Sequence, residues 1–234
     1  MRINDGYYDG FDFNRMCKML KEHTPFTFSR WGDGEWNAIL GVKGANCDGH
    51  EYFQDMGERL RGVLKQPQRY FMGMQGFATK RMGPAIEKWQ VENVIQHKWC
   101  DADILHNASR ERWMISRFAR ELWGRKVILV GPIHLLPMAK WNDWDTMFVP
   151  SKNVWLVNDQ AHKVFEDMQN RIKDEQDPVF LWSCGMPAKI WIDEWFAKCG
   201  ATSTHIDTGS MLDYYAGVNS RNYHKQMEAA GNAK

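Results

Sequence analysis

The feature that most constrains this chain is a change of rhythm at Lys126. From there the short β-rich runs KVILVG, NVWLV, PVFLWS and STHID are separated by helical stretches over Ala161 to Lys173 and Pro187 to Lys198. Apolar strands alternating with helices of this length imply βαβ units and a parallel sheet covered on both faces. The expected fold class is therefore α/β. Ligands of such sheets sit beyond the carboxyl ends of the strands, which directs attention to the loops after Arg30, Val130, Trp182 and Ile206.

The first half reads in the same way with longer helices. Phe13, Met16, Cys17 and Leu20 recur with helical spacing, so residues 12–22 are expected as an amphipathic helix. PFTFSR reads as a strand entering the glycine-broken WGDG, followed by a short helix from Glu35 to Leu40. Phe53, Met56, Leu60, Val63 and Leu64 mark another helix, RYFMGM a buried strand, and Met82 to Gln96 and Ser109 to Trp123 two further helices. Without a repeat or a linker, residues 1–234 are expected as one unit. Its halves are a DGE-containing part of about 1–124 and a second part of about 125–215, with a tail at 216–234.

Composition narrows the function classes. Hydrophobic residues make up 44% and charged residues 25% of the 234, which are globular proportions. Lys and Arg total 30 against 29 Asp and Glu, so no global field draws the chain to nucleic acid or anionic membrane. The longest apolar run, Val127 to Ala139, is interrupted by Gly131, Pro132, His134 and Pro137 and is shorter than the roughly 20 residues of a membrane span. MRINDGYYDG lacks the apolar stretch of a signal peptide, and five cysteines without CxxC spacing indicate neither a disulfide framework nor a zinc knuckle. A cytoplasmic setting is expected. The 12 Trp and 14 Met are read as core and gap filling.

Three segments carry candidate chemistry. In FSRWGDGEW the glycines at 32 and 34 let the chain turn tightly, and Asp33 and Glu35 form a DxE pair suited to Mg or Mn with phosphate and water in the remaining positions. The competing reading is a solvated turn with Glu35 at a helix start. Arg30 is either a phosphate ligand or an ion-pair partner of these carboxylates. In LWSCGMPAK a strand meets a helix start at Pro187, so Ser183, Gly185 and Lys189 are candidates for donor phosphate; an ordinary βα turn is the competing reading. Cys184 is read as packing. HIDTGSMLDYY places His205, Asp207, Ser210 and Asp213 past the last strand. Asp207 is the first candidate for a general base and Asp213 the second, against a role in capping the turn. His134 is read as a satisfied, buried histidine.

FSRWGDGEW resembles the RFGDGE signature of the GT-D type glycosyltransferases, a family first catalogued as a bacterial domain of unknown function. FQDMGERLRGVL, HNASRERW, KVILVGP and the stretch from PVFLWS to LDYY resemble further family segments in matching order, over roughly residues 12–215. Trp31 stands where the family has Phe or Tyr, and SCGMPAK differs from the family's Gly-Pro-Thr-Ala turn. The resemblance implies a Rossmann-like fold, a nucleotide-sugar donor with UDP-sugars foremost, and a divalent cation, Mn or Mg, held by Asp33 and Glu35 beside Arg30. The expected activity is transfer of the sugar to a hydroxyl of a glycan. A hydroxymethylated base in phage DNA is a competing acceptor, because KRMGPAIEKW and SRERWMISRFARELWGRK mix basic and aromatic residues. Two functions of different classes would use the same segments: a metal-dependent phosphoesterase through the acidic loop, and a non-catalytic nucleotide-binding module through the glycine turns.

Overall fold

A computed structural model describes residues 10–46, 49–199 and 202–229. Seven strands form one parallel sheet: β1 (Thr27–Trp31), β2 (Phe71–Met74), β3 (Trp99–Asp101), β4 (Val127–Gly131), β5 (Asp145–Phe148), β6 (Val179–Trp182) and β7 (Thr204–Asp207), in the order β3-β2-β1-β7-β6-β4-β5. The first half thus adds strands outward from β1, and the second half returns through β6 to lay β7 directly against β1. That contact brings the DGE turn and the HID ending to one sheet edge.

The helices are α1 (Phe13–Lys21), α2 (Asp33–Ile39), α3 (Gln54–Lys65), α4 (Gly76–Glu92), α5 (Ile104–Ser109), α6 (Arg112–Glu121), α7 (Leu136–Trp141), α8 (Asn158–Ile172), α9 (Pro187–Cys199), α10 (Met211–Tyr215) and α11 (Asn222–Ala229). Two apolar clusters lie on opposite faces of the sheet. One gathers Trp31, Trp36, Ile128, Val130, Trp182 and Trp191, and the other Phe28, Leu129, Leu181, Ile206 and the buried face of α1. Alternate residues of β4 divide between them, as a strand buried on both faces requires. Trp31, Trp36, Trp182 and Trp191 are fully buried, in keeping with tryptophan as core filling, whereas Trp123 and Trp141 are exposed.

Several elements differ from the expectation. NVWLV is not a strand: Val154–Val157 is a 3-10 turn entered through Asn153 in the left-handed region, and it leads straight into α8. The strand of that βαβ unit is instead DTMF, whose edge position leaves Asp145 and Phe148 exposed and its hydrophobic signal weak. β3, only three residues long, is a further strand beyond the expected set. α4 starts at Gly76 rather than Met82, and the helix expected over 109–123 is the shorter α6, preceded by a separate helix α5. Among the described residues no helix is long and apolar enough to cross a membrane. Cys17, Cys100 and Cys184 are buried and outside any disulfide; Cys47 and most of the N-terminal stretch read against a signal peptide lie outside the described residues.

Candidate active site

A cleft of about 710 Å³ opens beyond the carboxyl ends of β1, β4, β6 and β7. Its inner wall is built by two turns that meet. α2 begins at Asp33 directly after β1, and Gly32 N–H donates to Glu35 Oε2 at 2.9 Å, so the Glu35 side chain folds back over its own helix start. Opposite it, α9 starts at Pro187 after the Gly185 turn, where φ is +69°. Met186 lies over Gly34, so close that a Cβ at that position would be in ordinary contact with its side chain.

At the floor of this junction stands Lys189. Its Nζ lies 2.7 Å from Glu35 Oε1 and 2.8 Å from Asp207 Oδ2, and donates to the Gly185 carbonyl at 3.2 Å. Burial works against charge on both partners, yet the attraction prevails: Lys189 is raised above the ordinary lysine value and Glu35 lowered below the ordinary carboxylate value. Asp207 also accepts from the backbone N–H of Arg30 at 3.1 Å and of Gly209 at 3.0 Å. Its side chain is 1% exposed and does not line the cleft. Asp207 therefore stands as a strut between β1, β7 and α9, bonded to backbone N–H groups and the Lys189 ammonium rather than facing the cleft.

Arg30 turns away from the DGE carboxylates. Its Nε donates to the Ala102 carbonyl at 2.6 Å, and its Nη2 lies 2.8 Å from His106 Nδ1 and 3.3 Å from Asp103 Oδ1. The alternative Arg30 pairing with Asp33 or Glu35 does not form, and Arg30 lines the cleft. Burial and the Arg30 charge press His106 down to about 4, so Nδ1 of the neutral ring accepts from the guanidinium and Nε2 carries the proton. Among the described residues that buried Nε2 has no hydrogen-bond partner. Ser183 donates through Oγ to the Gly209 carbonyl at 2.6 Å, so its hydroxyl proton is already committed. Burial pushes the Cys184 thiol far up, as packing rather than nucleophilic chemistry demands. His205 is likewise structural: it accepts from Trp182 Nε1 at 3.2 Å, pairs with Ser203 Oγ at 2.8 Å, and burial lowers it to about 3.

On the far wall Asp213 Oδ1 lies 2.9 Å from His134 Nε2, while Asp213 Oδ2 accepts from the Ser220 hydroxyl. Both His134 and Asp213 line the cleft. A carboxylate on Nε2 fixes the proton there and leaves Nδ1 as the basic nitrogen of the neutral ring. His134, expected as a satisfied, buried histidine, does have a partner in Asp213 but is part-exposed and lines the cleft. Sequence reasoning missed His106 and three cleft-lining residues, Phe77, Lys152 and Arg221. None of the described side chains of the basic and aromatic stretch 109–126 lines the cleft.

Asp33 and Glu35 do not fit a shared divalent cation as they are arranged. Asp33 is half-exposed and lies 3.8 Å from Arg81, whereas Glu35 is turned inward onto an ammonium. Among the described residues no three His, Cys, Asp or Glu side chains gather as a metal's ligands would.

No family model matches the chain, and no curated protein matches it. Solved structures do. A selenomethionine-substituted structure of domain of unknown function 1792 superposes with a TM-score of 0.63 at 16% identity, covering 89% of this chain and 82% of the other. A second structure of that domain, described as having a distinct glycosyltransferase fold, gives 0.62 at 17% identity with the same coverage. A glycosyltransferase of the same domain type from Streptococcus sanguinis gives 0.63 at 13% identity, covering 89% of this chain and 85% of the other. The parallel sheet, the helices on its two faces and the DGE turn thus belong to a chain with the glycosyltransferase fold described for that domain.

Proposed function

We propose that the protein transfers a sugar from a nucleotide-sugar donor, a UDP-sugar foremost, to the hydroxyl of an acceptor glycan. The observation that carries this reading is the His134–Asp213 pair facing into a cleft whose other lining side chains include Lys152, Arg221 and the exposed Phe77. A diphosphate suits the cationic side chains and the amino end of α9, and an aromatic face suits a nucleotide base.

In the chemical step the bond from the anomeric carbon to the diphosphate oxygen breaks as the acceptor oxygen bonds to that carbon. The acceptor's proton passes to His134 Nδ1, and Asp213 stabilises the resulting imidazolium. A base so placed serves direct displacement, which inverts the anomeric centre. No step is routed through a metal, because the DxE carboxylates do not fit one.

The test is incubation with mass-tagged UDP-sugars and saccharide acceptors, read by mass spectrometry. A glycosylated acceptor is expected; hydrolysis of donor alone, or release of phosphate from simple phosphoesters, would move the protein to another class. Because none of the described side chains of residues 109–126 lines the cleft, activity insensitive to salt and absence of affinity for DNA are expected.

A further inference from the structure

Lys189 is 5% exposed, and the three N–H donors of its ammonium have three acceptors: Glu35, Asp207 and the Gly185 carbonyl. The carboxylates are completed from the other side by backbone. Gly32 N–H caps Glu35, and the N–H groups of Arg30 and Gly209 cap Asp207. Hard divalent cations are held by carboxylate oxygens that face phosphate and water. Here Glu35 Oε1 already binds the Lys189 ammonium, and a dication placed beside it meets the repulsion of that positive charge. Asp33, the other half of the DxE pair, faces Arg81 instead.

We propose that Lys189 is the resident cation of this site, standing between the DGE turn and the last strand in place of a divalent metal, so that the protein binds a donor diphosphate without one. This rests on the nucleotide-sugar reading above. The role of Lys189 is to neutralise and hold Glu35 and Asp207, which fixes the α2 and α9 starts that form the cleft floor. The donor's own charge then falls to Lys152, Arg221 and the amino end of α9.

The experiment is a titration of the full chain with Mn²⁺, followed by electron paramagnetic resonance, alongside thermal shifts with UDP as the probe in Mn²⁺ or EDTA. The unmodified protein is expected to take up no stoichiometric Mn²⁺, and UDP to raise its melting temperature equally in both buffers. Lys189→Gln, if it folds, is expected to gain Mn²⁺ binding, since two facing carboxylates have lost their cation; if it does not fold, the titration of the unmodified protein decides. One Mn²⁺ bound per unmodified chain and lost in Glu35→Gln overturns the proposal. Failure of UDP and UDP-sugars to shift the melting temperature in either buffer instead sinks the nucleotide-sugar reading, while the Mn²⁺ titration still settles Lys189.

Discussion

His134, just after β4, and Asp213, in α10, meet at 2.9 Å in the wall of the cleft. The two are 79 residues apart in sequence, and Asp213 is held from its other oxygen by the Ser220 hydroxyl. If the pair is the acceptor's base, His134→Gln and Asp213→Asn each lower turnover by roughly 100- to 10,000-fold and leave UDP affinity unchanged. The double variant should be no worse than the poorer single one, because the residues act as a unit. Steady-state kinetics with calorimetric UDP binding checks this; a loss of UDP affinity with normal turnover would assign the pair to the donor.

Asp207→Asn is expected to act on stability rather than chemistry. It removes the charge from one partner of a buried ion pair and leaves Lys189 short of a counter-ion. Breaking such a pair costs about 3–5 kcal/mol. Urea unfolding measures it, and a variant of normal stability with collapsed turnover would return Asp207 to the role of base.

Gly209→Ala tests the Arg30 anchor. Gly209 has φ of +54°, and an added Cβ would run into the Arg30 guanidinium. The left-handed backbone alone costs about 1–2 kcal/mol for a residue with a side chain. Displacing Arg30 from Ala102 and His106 adds to that, so a clear fall in melting temperature is expected, together with weaker UDP binding.

Acid should destabilise the protein through His106. Its folded value of about 4 lies below the ordinary 6.5, so between these two pH values the unfolded chain binds a proton that the folded one refuses. Stability from this group is full above pH 6.5 and declines as pH falls toward 4. Glu35, lowered in the fold, contributes in the same direction at more acid pH: its stabilisation is present above the ordinary carboxylate value and is lost as pH falls through its depressed one. Urea midpoints measured from about pH 7.5 to about pH 4 should drop, and His106→Asn should flatten the upper part of that curve.

Phe77 is 56% exposed at the first turn of α4 and lines the cleft. If it stacks on the nucleotide base, Phe77→Ala weakens UDP binding by the roughly 1–3 kcal/mol of a lost base–aromatic contact, with no change in melting temperature of the free protein. Equal UDP affinity in the variant would place the base elsewhere.

The sequence by itself determined the class of fold. Runs such as VILV and VFLW are apolar on both faces, and only a sheet covered on two sides buries them, so the parallel α/β architecture follows from local composition. The DGE, GMPAK and HID turns were legible for the same reason: each sits where an apolar run stops at a glycine. What lay beyond the sequence was strand order and side-chain partners. That β7 returns beside β1 places Asp207 against Lys189 and Glu35, three residues that the sequence assigns to separate segments and separate roles. The weak edge strand β5 and the three-residue β3 escape a reading of apolar runs because their sheet positions, not their apolar content, hold them. Whether Glu35 is a metal ligand or the partner of an ammonium, and whether Asp207 or His134 faces an acceptor, depend on burial and distance, and those exist only once the sheet has closed.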